Sequence, residues 1–172
     1  MNVPPSTAVN LTLPRWAYVP GVDTEPDHET LAMAKALVPA RFNGFVPARH
    51  PALRYGVGLN DSGFFWESHE ILEAVWAAAP QGGRERILLR ACIQIANANL
   101  KLRMGKPHAA GRLFGEALAE LNELGVRKAT AAGGGFADAF PTGALAGLLR
   151  SKLAQPALSK TDWVAIASIG RT

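Results

Sequence analysis

Cysteine is almost absent from this chain, which has 172 residues and the single thiol of Cys92. One cysteine excludes an internal disulfide and a zinc site made of cysteines, and it fits a reducing, cytoplasmic location. Long apolar runs are also lacking, since the longest, residues 71–79, is interrupted by Glu73 and falls short of the ~20 residues of a membrane span. The N-terminus has prolines in place of the charged region of a signal peptide. These absences predict a cytoplasmic protein with no membrane partner.

Concentrated positive charge is lacking too, although the net charge is +4 and the isoelectric point is near 9.6. The twelve arginines and six lysines are scattered, with no run of five or more. Scattered basic residues are typical of a solvated surface, not of a stripe that binds nucleic acid. The chain is 48% hydrophobic, which is too apolar for a disordered protein, and its length suits one domain with a real core.

No segment shows the alternation of a half-buried strand, and no internal repeat is visible. The apolar spacing predicts an all-α fold, with helices over residues 26–38, 63–79 (helix A), 84–104 (helix B), 107–124 (helix C) and 142–154. Gly105 is expected just after the end of helix B, and Pro107 in the first turn of helix C. Because the connections between A, B and C are short, these helices should form a small antiparallel bundle.

The whole chain, 1–172, is predicted to be a single domain in three parts. Residues 1–60 form an irregular N-terminal arm with one short helix, capped by Thr24 and Asp27, and a loop follows that helix up to Asn60. Residues 61–125 form the three-helix core, with Asp61 or Ser62 capping helix A. Residues 126–172 form a flexible small-residue loop, the last helix and a tail. The aromatics of the arm should lie against the core, a mobile arm being the alternative, and the tail either packs Trp163 and Ile166 onto the bundle or frays.

Helix A carries a histidine and three glutamates among residues that favour burial. At about 100° of rotation per residue, His69 and Glu73 lie about 40° apart, Glu70 lies at the edge of their face, and Glu67 points well away. This face of helix A contains Trp66, His69, Glu73 and Trp76. An imidazole and a carboxylate at i and i+4 can reach one cation, so this face is the candidate site.

Helix B has one narrow polar stripe, formed by Arg90, Gln94, Asn97 and Lys101. If the stripe faces helix A, Gln94 and Asn97 can hydrogen-bond the His69–Glu73 pair and complete a small pocket. If it faces water, it is the exposed edge of an otherwise buried helix, which is the commoner arrangement.

The stretch from Phe65 to Trp76 resembles the signature of domain-of-unknown-function family 309, a His-x-x-x-Glu-x-x-Trp pattern in a run rich in Glu and aromatics. The resemblance continues through residues 92–98, 103–106 and 111–113, and it includes residues 18–21 near the N-terminus. Ser68 stands where alanine is usual in the family, and Lys106 where asparagine is common. The resemblance implies a small helical bundle with a suspected metal-binding function, and the motif positions carried over are His69, Glu73 and Trp76.

Two interpretations of the pair stay open. Zinc needs three or four ligands, so a divalent metal would need Glu70 or one of the other histidines (His28, His50 and His108), none of which has a distinctive spacing. Alternatively His69 and Glu73 satisfy each other as a buried ion pair between Trp66 and Trp76.

These interpretations lead to two functions. One is metal-assisted hydrolysis or acid–base chemistry at His69 and Glu73, with the substrate unknown. The other is a non-enzymatic interaction module, a homodimer in which the pair is a buried structural element. Cys92, on the apolar helix B, is expected to be a buried structural thiol.

Overall fold

A computed structural model of the chain describes residues 11–127 and 135–167, and seven α-helices lie within these ranges. The helices are α1 His28–Lys35, α2 Pro51–Asp61, α3 Phe65–Ala78, α4 Arg84–Arg103, α5 Pro107–Val126, α6 Phe136–Ala139 and α7 Thr142–Leu153, followed by a 3₁₀ turn, Lys160–Asp162. The only pairing of strand type in the described residues is an isolated bridge between Pro47 and Gly135. The predicted all-α fold is confirmed.

The helices pack in chain order, with α4 at the centre of the bundle. It packs most extensively against α5 and α3, α2 packs on the other side of α3, and α7 covers α5. The short link 104–106 joins two long helices that pack along each other, so α4 and α5 run antiparallel. The main core is lined by apolar side chains of the six helices α2 to α7, and a smaller cluster around Leu31, Leu59 and Ile71 lies under α1.

Helix α4 ends where the glycine and proline of its sequence predict. Gly105 has a φ of +74°, a conformation that costs little only for glycine, and its N–H donates to the carbonyl of Leu102. The N–H of Lys106 donates to the carbonyl of Lys101 at 2.8 Å, which completes the Schellman motif that the glycine predicts. Pro107 then begins α5, as expected, because proline lacks the N–H that a first-turn residue leaves unpaired.

The loop predicted up to Asn60 is wrong, since α2 occupies Pro51–Asp61 and is a fourth helix of the core. Pro51 is the first residue of α2, and the Nδ1 atom of His50 accepts a hydrogen bond from the Ala52 N–H, so this proline begins a helix instead of interrupting a loop. Gly56 also lies within the helix, where an added Cβ would come within 2.9 Å of Leu72 of α3. The boundary drawn at residue 60 therefore separated α2 from the core that it helps to form.

The predicted helix caps also need correction. The structure gives α1 no side-chain cap, and the Asp27 carboxylate instead binds the backbone N–H and guanidinium of Arg15. Helix α3 begins at Phe65, without a cap from Asp61 or Ser62, because Asp61 is the last residue of α2 and Ser62 is its C-cap. The Asp61 carboxylate binds the C-terminal segment of the chain instead.

The described part of the N-terminal arm lies against α2 and α3, as its aromatics predict. The Tyr18 ring packs on Trp66 with 5.0 Å between ring centroids, and the Tyr55 hydroxyl donates to the carbonyl of Thr12. Ile166 is fully buried in the main core, whereas Trp163 packs on Phe65 and is 38% exposed. The expected flexible loop lies mostly outside the described residues. Within the described ranges, no helix has the length and hydropathy needed to cross a membrane.

Candidate functional site

The motif face of α3 brings one histidine and two glutamates together. His69 Nε2 lies 3.3 Å from an oxygen of Glu73, and His69 Nδ1 lies 3.9 Å from an oxygen of Glu70. One ligand-type atom from each of the three side chains lies within 4.8 Å of the others. The three residues follow one another at i, i+1 and i+4, so a single helix holds this cluster, and its geometry depends on few long-range contacts. His28, His50 and His108 do not belong to this three-residue group in the described chain.

The backbone of α3 orients the histidine. His69 Nδ1 lies 3.2 Å from the carbonyl oxygen of Trp66, so a proton on Nδ1 is directed to that carbonyl. In this tautomer, Nε2 presents its lone pair toward Glu73, which is the arrangement that metal-binding histidines use. With both nitrogens protonated, the imidazolium donates to Trp66 and pairs with Glu73. The same geometry therefore serves either a metal ligand or an ion pair.

The His69–Glu73 pair lies at the surface and not in the core. The side chain of His69 is 17% exposed and that of Glu73 is 54% exposed, so the expectation of a buried pair between two tryptophans is wrong. Glu70 is partly buried, and one of its oxygens binds Lys35 Nζ of α1 at 3.0 Å. Its other oxygen faces His69. All three side chains keep part of their surface exposed to solvent.

Beside the cluster, a groove of about 460 Å³ lies along α3 and α4. Its lining residues are Glu73, Trp76, Ala77, Arg90, Ile93, Gln94 and Asn97. The guanidinium of Arg86 stacks on the Trp76 ring, 4.2 Å from its centroid, which fixes one wall of the groove. Glu73 belongs to both the cluster and the groove, so the two form one continuous region.

The polar stripe of α4 runs along this groove without bonding the His69–Glu73 pair. The Gln94 amide donates to the Glu116 carboxylate of α5 at 2.7 Å, and Arg90 pairs with Glu120 of α5 at 3.4 Å. Gln94 and Asn97 are half-buried. The stripe is thus neither fully turned toward α3 nor fully exposed to water, the two arrangements that the sequence left open. Trp66 does not line the groove; it packs under the arm against Tyr18, and its ring centroid lies 6.1 Å from that of His69.

The fully buried ionisable group of α3 is Glu67, which the sequence did not single out. One of its oxygens accepts the Tyr18 N–H at 2.8 Å, and the other has no hydrogen-bond partner among the residues that the structure describes. Burial raises the pKa of the Glu67 carboxyl, and the hydrogen bond from Tyr18 opposes this shift. The helical projection places Glu67 on the side of α3 opposite the motif face. That position was the one feature of the sequence from which contact of Glu67 with another part of the protein could have been predicted.

Comparison with known families supports the resemblance seen in the sequence. Residues 53–113 match the family model described as Domain of unknown function (DUF309), and this match covers about a third of the chain. The matched segment includes α3, α4, most of α2 and the start of α5, with all residues of the cluster and groove. No curated protein and no solved structure matches the chain. The predicted family is therefore confirmed for this segment, and its description names no function.

Proposed function

We propose that His69, Glu70 and Glu73 bind a divalent metal ion and that this ion serves a hydrolytic reaction on a small substrate in the adjacent groove. The observation that carries the proposal is the convergence of one imidazole and two carboxylates within 4.8 Å at the solvent-facing side of α3. Neither the reaction nor the ion follows from the family, whose description gives no activity.

One imidazole and two carboxylates suit a divalent ion such as zinc, manganese or iron(II). Two ligands of one ion are at most ~4.4 Å apart, which is twice a bond length of about 2.2 Å, so the three side chains need only a small rotation to close on it. Three protein ligands on one side leave coordination positions for water and substrate. Such an ion polarises a carbonyl or phosphoryl oxygen and lowers the pKa of bound water.

The groove provides a place for the substrate because Glu73 borders it. Trp76 and Ile93 offer apolar surface, and Gln94, Asn97 and Arg90 offer hydrogen-bond donors. Without a metal, the same pair can act in acid–base chemistry, since His69 Nε2 lies 3.3 Å from Glu73.

Metal analysis of the tag-free protein, purified without chelator, tests the proposal directly. We expect one equivalent of a transition metal per chain in the native protein, measured by plasma mass spectrometry. We expect the His69→Ala variant to bind it at least about tenfold more weakly, because it loses the nitrogen ligand. The matched control is His108→Ala, which removes an exposed imidazole at the start of α5 and should leave the metal content unchanged.

A protein that stays metal-free after incubation with zinc, manganese, iron(II) and nickel would contradict the metal site. Equal metal content in both histidine variants would also contradict it, because binding would then be adventitious. Circular dichroism of both variants separates loss of the site from loss of the fold.

A non-enzymatic interaction module is the second proposal, with a homodimer as its assembly. It is favoured by large apolar side chains that are exposed on the arm and α1, namely Leu13, Trp16, Val22 and Met33. A metal-free chain that sediments as a dimer would support this proposal over the first. A metal-containing monomer would support the first.

A further inference from the structure

The C-terminal segment 163–167, called the strap below, crosses the ends of α2 and α4; it starts in an extended conformation and bends at Ile166. At its start, Trp163 has φ −60° and ψ 151°. Along the strap, side chains alternate: Val164 and Ile166 are buried in the main core, and Trp163 and Ala167 are exposed. A buried–exposed alternation of this kind is typical of extended peptides that bind a groove, in which alternate side chains enter pockets.

The strap is held by side chains that bind its backbone. Asn99 accepts the Val164 N–H at 2.8 Å and donates to the Val164 carbonyl at 2.8 Å, so it binds both polar groups of one residue. Asn60 donates to the same carbonyl at 3.0 Å. The Asp61 carboxylate accepts the N–H groups of Ile166 and Ala167, one on each oxygen. These contacts recognise the main chain, and they suit a peptide that carries apolar side chains of the right size two residues apart and bends at the second of them.

The three binding residues are preassembled by the bundle. Asn99 donates to the Asn60 side-chain oxygen at 2.8 Å, and Asn60 donates to the Asp61 carboxylate at 3.1 Å, so the set orients itself across α2 and α4. Both asparagines are fully buried beneath the strap. All three residues lie within the family-matched segment 53–113, whereas the strap lies about fifty residues beyond its end. The receptor thus belongs to the family segment, and its occupant belongs to the C-terminal extension.

We propose that Asn60, Asp61 and Asn99 form a receptor for a peptide with apolar side chains two residues apart, extended at the first and bent at the second, and that the strap is its detachable intramolecular ligand. The link to α7 fits this role, because residues 155–157 are exposed. After them, the 3₁₀ turn is closed by its own capping box and by a contact of Lys152 with Asp162 at 3.3 Å. A partner segment of the same chemistry would replace the strap in the receptor.

Cleavage of the folded full chain tests whether the strap behaves as a ligand. A specific protease site is inserted between Gln155 and Pro156, both exposed, and the protein is cut only after it has folded. A fluorescent peptide of residues 156–172 is then added, and its exchange with the resident fragment is followed by anisotropy and native mass spectrometry. We expect reversible exchange with the bundle still helical. Binding should be at least about tenfold weaker for an Asn99→Ala receptor and for a peptide with Ile166→Asp.

Two results would overturn the proposal. One is a fragment that leaves only when the bundle unfolds in denaturant, because the strap would then be an integral part of the core. The other is equal binding of the native and Ile166→Asp peptides, because the receptor would then not select the alternation.

Hydrogen exchange of the unmodified protein keeps the test valid if the inserted site prevents folding. A detachable strap opens without global unfolding, so the amides of Val164 and Ile166 should exchange at least about tenfold faster than the slowest amides of α4. Equal exchange rates would overturn the proposal.

Discussion

At the scale of single residues, two buried carboxylates of this protein have opposite environments. Asp27 accepts hydrogen bonds from the backbone and side chain of Arg15 and from the Thr30 hydroxyl, which hold the pKa of its carboxyl well below the ordinary range. In the described part of the chain, Glu67 has one hydrogen bond and one unpaired oxygen, and burial raises its pKa. The charge of Asp27 is thus stabilised by folding, and that of Glu67 is disfavoured.

The depressed pKa of Asp27 predicts an acid-dependent part of the stability. Because the folded state favours the carboxylate, this stabilisation is complete above the unfolded pKa of ~3.9 and is lost as the pH falls toward the lower folded pKa. Asp27→Asn should be less stable at neutral pH, and its free energy of unfolding should change less between about pH 5 and about pH 2. Urea denaturation across this range measures both effects. The control is Glu29→Gln, which changes an exposed side chain beside the same arginine. If the free energy of unfolding of Asp27→Asn varied with pH in parallel with that of the native protein, the prediction would be contradicted.

At the scale of helices, the position of α3 depends on a close approach to α2. A Cβ atom at Gly56 would lie 2.9 Å from Leu72 Cδ2 and 3.1 Å from Ile71 Cγ2. The Ser68 hydroxyl of α3 donates to the carbonyl of Gly56 at 2.6 Å, so a hydrogen bond also links the two helices at this point. Leu72 and Ile71 are fully buried, so they have little room to move. This contact helps to set the position of the helix that carries His69.

Gly56→Ala should therefore destabilise the protein, although alanine favours helices. The gain in helix propensity is about 1 kcal/mol, and overpacking at a fixed helix contact costs about 1–3 kcal/mol, so we expect a net loss of up to ~2 kcal/mol. Gly58→Ala is the matched control, because it lies in the same helix with no atom of the described residues within 4 Å of the added Cβ. It should gain about 0.5–1 kcal/mol. Urea denaturation of both variants measures the difference, and equal gains would show that α2 and α3 separate easily.

At the scale of the whole molecule, a buried polar network joins parts of the chain that are far apart in sequence. The bond between Asn60 and Val164 spans 104 residues, and the bonds between Asn99 and Val164 span 65. The network ties α2, α4 and the C-terminal segment together, and each of its bonds lies in a low-dielectric interior.

Asn99→Ala should be among the more destabilising substitutions outside the apolar core. It removes the partner of the Val164 N–H in a buried site, which costs about 1–3 kcal/mol, and it leaves a small cavity. The same substitution at Asn97, on the groove side of α4, should change the free energy of unfolding by less than about 0.5 kcal/mol. Chemical denaturation compares the two, and an equal effect would show that the network does not stabilise the fold.

Helix positions along much of the chain could be predicted because they depend on near neighbours. The ends of α4 and α5 at Gly105 and Pro107 follow from local backbone chemistry, and the apolar spacing of α3 places His69, Glu70 and Glu73 at one side. Helix α2 was missed because its proline and glycines resemble those of a loop. Only the packing shows that Gly56 is needed where two helices nearly touch.

The sequence by itself determined the helical class, the boundaries set by local caps and the order of chemical groups around α3. The tertiary structure alone decided which of those groups is buried: Glu67 lies beneath the arm, while Glu73 is exposed beside a groove. It also decided that Asp61 binds the strap and does not cap α3. The physical reason is the sequence separation of the contacts involved. Helix formation depends on contacts within about four residues, whereas burial and backbone recognition depend on segments that meet only after the chain has folded.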